Sequence, residues 1–350
     1  MISRRNFCLG SAALIGMSAT GRSHAQNVDS LYEAAKAEGT VVAYDTPLNW
    51  ANFEHVIKTF EAKYPGVTVV YGDLGSGPTV AKLEAEKNSP KGDTAYYGFP
   101  FGALAQGKGL TEGFKPSNFD RIPAAHKDPD GHWFGIHQLN LALMVNTKVV
   151  KNIPTTWADL LKPEYAGMVS YYDPRTTQVG IATVLAAAIA NGGSETDIGP
   201  GVDFHEKLDK SGNIQRYVTA AAYASFLKGE LPILVEYDLN GYRAKNTPGI
   251  SAEVVLPADG TISVPYVQSF VKGAPHPNAG KLWLEFLVSD EGQIAFAEGF
   301  VGPILPDITL PASVQEKLLP PEAYAAVKTV DWAKVDMDDL KSQWGSRILG

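Results

Sequence analysis

The stretch that decides the fold is residues 41–80, which read VVAYDTPLNWANFEHVIKTFEAKYPGVTVVYGDLGSGPTV. Val41-Val42-Ala43-Tyr44 and Val67-Thr68-Val69-Val70-Tyr71 are short apolar runs typical of strands in a parallel sheet. Between them, Phe53, Val56, Ile57 and Phe60 recur at helical spacing. We therefore predict a strand, a helix and a second strand in this order.

Turn residues mark the ends of these elements. Pro65-Gly66 ends the predicted helix, and residues 72–77 form a glycine-rich loop. Pro78 then lies where the first turn of a helix tolerates proline. The alternation of strands and helices predicts an α/β fold whose parallel strands are joined by right-handed crossovers.

A second α/β region follows the first. Predicted strands lie at residues 141–145, 167–171, 232–237 and 262–271, and the apolar residues 181–190 form a helix. Helical spacing returns at residues 281–287 and 291–297, and we expect a largely helical tail from Pro311. Because no low-complexity linker separates the regions, we expect two lobes between which the chain crosses more than once.

Composition narrows the class of protein. The chain has 350 residues, which favours about two domains, and 45% are hydrophobic and 19% charged, as in globular proteins. Its net charge of −8 and the lack of a Lys/Arg cluster argue against nucleic-acid binding, which needs a basic face.

The first 25 residues resemble an export signal. Arg4 and Arg5 precede an apolar stretch at residues 9–17, and Ser23-His24-Ala25 has the small-x-small pattern of a cleavage site. The apolar stretch is too short to span a bilayer. Ser3-Arg4-Arg5-Asn6-Phe7 also resembles the twin-arginine signal. We predict a periplasmic protein, exported by the twin-arginine route and cleaved near Ala25.

Removal of this leader changes the charge and the cysteine count. The leader holds three arginines and no acids, so the mature net charge falls from −8 to −11. It also holds Cys8, the only cysteine. The mature chain therefore has no disulfide and depends on a large core.

Sequence patterns of known catalytic sites are incomplete in this chain. Residues 102–108 have the spacing of a phosphate-binding P-loop, but Gly109 follows where Ser or Thr belongs, so we interpret them as a surface turn after a helix. No Gly-x-Ser-x-Gly or His-Glu-x-x-His motif is present. We expect no enzyme activity, no metal and no cofactor, and a periplasmic enzyme of unknown reaction stays as an alternative.

Several segments together resemble one family. Phe270-Val271-Lys272-Gly273-Ala274-Pro275 runs into Lys281-Leu282-Trp283-Leu284-Glu285-Phe286-Leu287 and Ser289-Asp290-Glu291-Gly292-Gln293. With residues 60–67, 157–161, 165–167 and 302–306, these segments resemble the family-1 extracellular solute-binding proteins of ABC transporters, in the ferric-, thiamine- and polyamine-binding branch. The resemblance spans nearly the whole mature chain.

This resemblance implies a fold, a domain division and partners. The expected type II periplasmic-binding fold has two α/β lobes joined by two crossing strands, with the ligand cleft between them. Lobe 1 would comprise residues 26–138 and 266–310, and lobe 2 residues 139–265 and 311–350. The expected partners are a small solute, an inner-membrane ABC permease and its ATPase, and we expect a monomer.

Two loops suit an anion in such a cleft, because the free N–H groups and the dipole of a helix start favour negative charge. One loop contributes Gly75, Ser76, Gly77 and Thr79. The other contributes Asp173, Arg175, Thr176 and Thr177, and Arg175 can clamp an anion with its forked donors.

A second group of residues suits a cation. Glu236, Asp238 and Asp45 can pair with it, and aromatic rings can pack on it: Tyr44, Trp50, Tyr97, Tyr237 and Tyr266. Thiamine or its phosphates, a polyamine and aminoethylphosphonate all meet these demands. If Arg175 and both helix starts face the ligand, a phosphate-bearing zwitterion is favoured over a bare polyamine.

A ferric-ion carrier is the other transport alternative. Ferric-binding relatives use neighbouring tyrosines after the strand at residues 232–237, whereas this chain has Tyr237 followed by Asp238. One tyrosine with scattered acids is a poor site for a trivalent ion, so iron is the weaker hypothesis.

Overall fold

The computed structural model describes residues 19–218 and 222–348. The arginine pair and the apolar stretch of the predicted leader lie outside the described residues. In chain order the elements are α1 (Ala19–Glu38), β1 (Thr40–Tyr44), α2 (Phe53–Lys63), β2 (Thr68–Tyr71), α3 (Ser76–Glu86), β3 (Thr94–Gly98), α4 (Phe99–Gly107), β4 (Thr111–Glu112), β5 (Phe134–Asn146), β6 (Val169–Tyr172), α5 (Gln178–Ala190), α6 (Gly199–Lys210), β7 (Ile214–Val218), α7 (Ala222–Leu227), β8 (Ile233–Tyr237), α8 (Asp238–Lys245), β9 (Ala252–Val255), β10 (Thr261–Val271), α9 (Pro277–Leu287), α10 (Asp290–Ala297), β11 (Gly302–Pro303), α11 (Ala312–Gln315), β12 (Val327–Thr329) and α12 (Met337–Arg347).

The strands form one continuous mixed sheet with the order β2-β1-β3-β10-β5-β8-β6-β7. We call β2, β1 and β3 its first half and β8, β6 and β7 its second half. Within each half the neighbouring strands are parallel, as the alternation of elements predicted. The strand, helix and strand predicted from residues 41–80 are confirmed as β1, α2 and β2.

The antiparallel pair β5 and β10 joins the two halves. Residues 134–140 of β5 pair with β10, and residues 141–145 pair with β8. β10 also pairs antiparallel with β3. The predicted lobe boundaries, at 138/139 and 265/266, fall inside these two strands. The division itself stays a prediction.

Each half has an aromatic core. Phe60, Trp283 and Phe286 pack together beside the first half, with ring centroids 5.1–6.2 Å apart. Trp157 and Trp344 both pack near the buried His205 in the second half. Such burial of large rings contributes the apolar area that a chain without disulfides needs.

The helix α1 begins at Ala19, before the predicted cleavage site near Ala25. Its last residue, Glu38, accepts hydrogen bonds from the backbone N–H groups of Asn278 and Ala279 at the start of α9. The end of α1 therefore caps another helix. Among the described residues, no helix combines the length and the apolar character that crossing a bilayer requires.

Two segments differ from the sequence prediction. Residues 102–107 belong to α4 instead of a surface turn, and an added Cβ at Gly102 would lie 2.9 Å from the ring of Trp133, so glycine permits close packing there. The tail after Pro311 is only partly helical, because β12 pairs with residues 261–263 of β10.

Candidate ligand-binding cleft

A cleft of about 610 Å³ lies between the two halves of the sheet. One wall is formed by Trp50, by the start of α3 and by Phe101. The facing wall is formed by Tyr172, by the segment leading into α5, and by Glu236 and Asn240. Tyr266 of β10 lies between these walls, and two residues of α12 complete the lining. The helix starts α3 and α5, both predicted as anion sites, therefore share one cleft.

The start of α3 is held in place by Asp45. The Asp45 carboxylate accepts hydrogen bonds from the N–H groups of Leu74, at 3.1 Å, and Gly75, at 2.7 Å. Gly75 has φ of 83°, a left-handed conformation that glycine adopts without strain. The Thr79 hydroxyl donates to the Gly75 carbonyl oxygen at 2.9 Å. Asp45 and Thr79 thus position the loop and do not line the cleft themselves.

The start of α5 is built around Asp173 and Thr177. The Thr177 hydroxyl accepts from the Gly180 N–H at 3.0 Å, a helix N-cap that suits threonine. The Asp173 backbone carbonyl accepts from the N–H groups of Thr176 and Thr177. Thr176 and Thr177 line the cleft, whereas Asp173 lies behind them.

Arg175 is paired inside its own loop. Its Nη2 and Nε atoms donate to the Asp173 carboxylate at 2.6 and 3.0 Å, and this ion pair lowers the pKa of Asp173. The Arg175 side chain is still 46% exposed and lines the cleft. The pair orients the guanidinium but offsets much of its charge.

Glu236 supplies a buried carboxylate at the facing wall. It is 2% exposed, and the Tyr172 hydroxyl donates to it at 2.6 Å. Burial raises the pKa of Glu236, and burial beside this carboxylate also raises the pKa of Tyr172. A cationic group that reaches Glu236 would relieve this unfavourable burial of charge.

Aromatic rings form the base of the cleft. The rings of Trp50 and Tyr266 lie 5.8 Å apart, and Trp50 donates from Nε1 to the Tyr96 hydroxyl at 2.8 Å. Tyr96 in turn stacks on Tyr266 at 5.3 Å. The predicted ligand-facing roles of Trp50 and Tyr266 are compatible with this position.

Four predicted residues do not line the cleft, although the ring of Tyr237 packs beneath it against Trp50 and Tyr266. The Tyr44 hydroxyl donates to Glu86, and the Tyr97 hydroxyl donates to Ser269 inside the first half. Tyr237 is fully buried, and burial raises its pKa well above the ordinary value. Asp238 binds Asn140 and lines a separate cavity. None of the four lines the cleft.

Several lining residues were not among the predicted ligand-binding residues. They are Pro78, Phe101, Tyr172, Gln178, Val179, Ile181, Asn240, Met337 and Lys341. Tyr172 and Gln178 directly flank the predicted loop and could have been found from it. Met337 and Lys341 carry no local signal, since α12 reaches the cleft only through tertiary packing.

Asp238 provides a test of the electrostatics around β5. Burial raises its pKa to about 6, so the folded state holds a proton that the unfolded chain releases near its ordinary pKa of 3.8. As pH rises from 4 to 7, this group lowers the free energy of unfolding by about 2–3 kcal/mol. We expect Asp238→Asn to remove that fall when chemical unfolding is measured at both pH values. The exposed Asp197→Asn should keep it, and parallel pH profiles for wild type and Asp238→Asn would contradict the prediction.

Among the described residues, no group of three or more His, Cys, Asp or Glu side chains gathers where it could hold a metal ion. The cleft thus offers helix N–H groups, one arginine, one lysine, one buried carboxylate and aromatic rings. These groups can bind a small charged organic molecule.

Comparison with known proteins places this chain in a family. The family model of bacterial extracellular solute-binding proteins matches residues 91–338. An uncharacterized protein of Haemophilus influenzae is 31% identical over 280 residues, which cover 76% of this chain and 78% of the relative. A protein of Salmonella typhimurium, named for a proposed role as a 2-aminoethylphosphonate-binding periplasmic protein, is 27% identical and covers 79% and 80%.

A further relative and two solved structures are also similar to this chain. A protein of Sinorhizobium fredii, named as a probable ABC transporter periplasmic-binding protein, is 27% identical over 80% of this chain and 77% of the relative. The periplasmic binding protein AfuA of Actinobacillus pleuropneumoniae, solved with fructose-6-phosphate, has a TM-score of 0.74 at 24% identity and covers 89% and 99% of the two chains. Iron-bound HitA of Pseudomonas aeruginosa has a TM-score of 0.71 at 19% identity, over 88% and 99%.

The two structures share the fold of this chain, and two of the relatives are named as periplasmic binding proteins. The expected type II periplasmic-binding fold is confirmed. The chain belongs to the bacterial extracellular solute-binding proteins and is a periplasmic solute-binding component of an ABC transporter.

Proposed function

We propose that the cleft binds a small organic phosphonate or phosphate that also carries a cationic amine, with 2-aminoethylphosphonate as the representative ligand. The observation that carries this proposal is that the starts of α3 and α5 line the same cleft as the buried Glu236. The protein would bind this solute without changing it and deliver it to an inner-membrane permease and its ATPase.

The anionic half of the ligand would lie at the helix starts. α3 has 11 residues and α5 has 13, and first-turn N–H groups have no partner within a helix. Those of Ser76 and Gly77 in α3 and of Gln178 and Val179 in α5 are the candidates, since Pro78 has no N–H and the Gly180 N–H bonds Thr177. Such groups and the helix dipole favour a phosphonate. A bare polyamine has no anionic group to accept from these N–H donors, which argues against the polyamine alternative.

The cationic half would lie at Glu236. Its carboxylate is buried, and burial raises its pKa. An ammonium group therefore binds more strongly there than at an exposed acid. Trp50 and Tyr266 add aromatic faces within reach of a cation. The name of the Salmonella relative, with both groups in one small molecule, supports this pairing of charges. The fructose-6-phosphate in AfuA supports the phosphate half alone.

Iron is less well supported as the solute. Tyr237, the tyrosine on which the ferric hypothesis depends, is fully buried and does not line the cleft. Its raised pKa disfavours the phenolate that ferric iron requires.

The proposal is tested by titration calorimetry with three probes. We expect 2-aminoethylphosphonate to bind at least tenfold more tightly than ethylphosphonate, which lacks the amine, or ethanolamine, which lacks the phosphonate. Mass spectrometry of ligand co-purifying with the exported protein checks the same point independently. Equal affinity for all three probes, or a charge-transfer colour on ferric loading that Tyr237→Phe abolishes, would overturn the proposal.

Arg175→Ala is expected to weaken binding of 2-aminoethylphosphonate at least tenfold, because the variant loses a forked donor beside the helix starts. The loss should be largest at low salt, where a half-exposed cation is least screened. Lys207→Ala, an exposed cation on α6 that does not line the cleft, serves as the control. Unchanged affinity in Arg175→Ala would show that Asp173 already neutralises the arginine.

A further inference from the structure

We propose that Lys341, on the C-terminal helix α12, is a ligand-binding residue that supplies a positive charge for the phosphonate group. This inference rests on the proposed function of the cleft. Lys341 lies beyond residue 338, where the match to the family model ends.

The geometry presents Lys341 to the cleft. Lys341 and Met337 are four residues apart, so they share one face of α12, and both line the cleft with the helix starts. Leu340 and Trp344, on an adjoining face, are buried. The burial of Leu340 and Trp344 fixes the rotation of α12, so that the face with Lys341 meets the cleft.

The start of α12 is capped and its other end is anchored to α6. The Asp336 carboxylate accepts from the N–H groups of Asp338 and Asp339 and caps the helix start. At the other end, Arg347 donates to Asp203 and Glu206 of α6 at 2.6 and 2.7 Å. A side chain on a capped helix that is anchored to α6 loses less freedom on binding a ligand than one on a loop.

The balance of charge points to Lys341. Arg175 is already paired with Asp173, so its charge at the cleft is partly offset. Across residues 19–218 and 222–348, Lys341 takes part in no ion pair, and its side chain is exposed. A phosphonate carries up to two negative charges, and the unpaired ammonium of Lys341 complements it better than the paired guanidinium alone.

The tail also keeps Lys341 near both walls. A short turn at Trp332–Lys334 packs against α4 of the first half, and Trp332 is 2% exposed. A few residues later, α12 packs against α6 of the second half. The tail therefore contacts both halves of the molecule beside Lys341.

The test compares Lys341→Met, which keeps most of the side-chain stem, with Lys341→Arg, which keeps the charge. The probes are 2-aminoethylphosphonate and ethylphosphonate, titrated at two salt concentrations. We expect Lys341→Met to weaken the binding of 2-aminoethylphosphonate about tenfold. The salt dependence of binding should also fall, because a charge-assisted contact is lost. Lys341→Arg should stay within about threefold of wild type, and Lys207→Met on α6 should match wild type.

Each outcome separates this inference from the proposed function. If wild type binds 2-aminoethylphosphonate and Lys341→Met binds it as tightly with the same salt dependence, the role of Lys341 is overturned and the proposed function stands. If wild type binds neither probe, both are overturned. Thermal unfolding midpoints of the variants, expected to equal that of wild type, exclude loss of fold as the cause of weaker binding.

Discussion

Gly180→Ala is expected to lower the free energy of unfolding by about 2–3 kcal/mol, the upper part of the range for an overpacked interior. Gly180 lies in the first turn of α5, and an added Cβ would meet three backbone atoms of the preceding segment. It would lie 2.5 Å from the Pro174 nitrogen and 2.6 Å from both the Asp173 carbonyl carbon and the Tyr172 oxygen. Because backbone cannot rotate away as a flexible side chain can, the segment that carries Arg175 must shift.

The same shift should weaken ligand binding. The loop at residues 173–177 places Arg175, Thr176 and Thr177 in the cleft, so its displacement should reduce affinity for 2-aminoethylphosphonate about tenfold or more. Urea unfolding and calorimetry measure the two effects.

Gly345→Ala is the matched control for this variant. Gly345 also lies in a helix, and an added Cβ there would have no heavy atom within 4 Å. We expect this change to stabilise the protein by roughly 0.5–1 kcal/mol, since alanine is the better helix former. A Gly180→Ala protein as stable as Gly345→Ala would refute the close backbone packing at α5.

The elements of the fold could be predicted because each leaves a local pattern. The spacing of Phe53, Val56, Ile57 and Phe60 gave α2, and the glycines and proline at residues 75–78 gave the start of α3. The loop before α5 could be predicted for the same reason, since Thr177 is a good N-cap residue. Helix starts are the part of this cleft that sequence reveals best.

The orientation of strand residues could not be predicted in the same way. All five residues of β3 are buried, so alternation of polar and apolar residues does not tell which face meets the cleft. Tyr97 was the predicted ligand residue, yet it is Tyr96 whose hydroxyl binds Trp50 and whose ring stacks on Tyr266. The same ambiguity applies to β8, in which Glu236 lines the cleft and the adjacent Tyr237 does not.

Glu236→Gln is expected to weaken the binding of 2-aminoethylphosphonate by roughly 30-fold or more, since loss of one partner of a buried charge pair typically costs 2–5 kcal/mol. Glutamine keeps the size of the side chain, and the Tyr172 hydroxyl can turn to accept from its amide. Affinity for ethylphosphonate should stay within about threefold of wild type, because that probe has no amine to lose a partner. The exposed Glu164→Gln, in the short 3₁₀ helix Pro163–Tyr165 away from the cleft lining, controls for removal of one acid.

The pH dependence of binding gives this prediction a second readout. Burial raises the pKa of Glu236, so without ligand the carboxyl takes up a proton at a higher pH than an exposed glutamate. Wild-type affinity for the amine-bearing probe should therefore fall more steeply with decreasing pH than that of Glu236→Gln, because protonation of the phosphonate affects both proteins alike. Calorimetry over a series of decreasing pH values measures the difference between the two proteins. Equal losses of affinity for both probes in Glu236→Gln would mean that Glu236 shapes the cleft as a whole and does not select the amine. Only a specific contact with the ammonium group distinguishes two ligands that share a phosphonate.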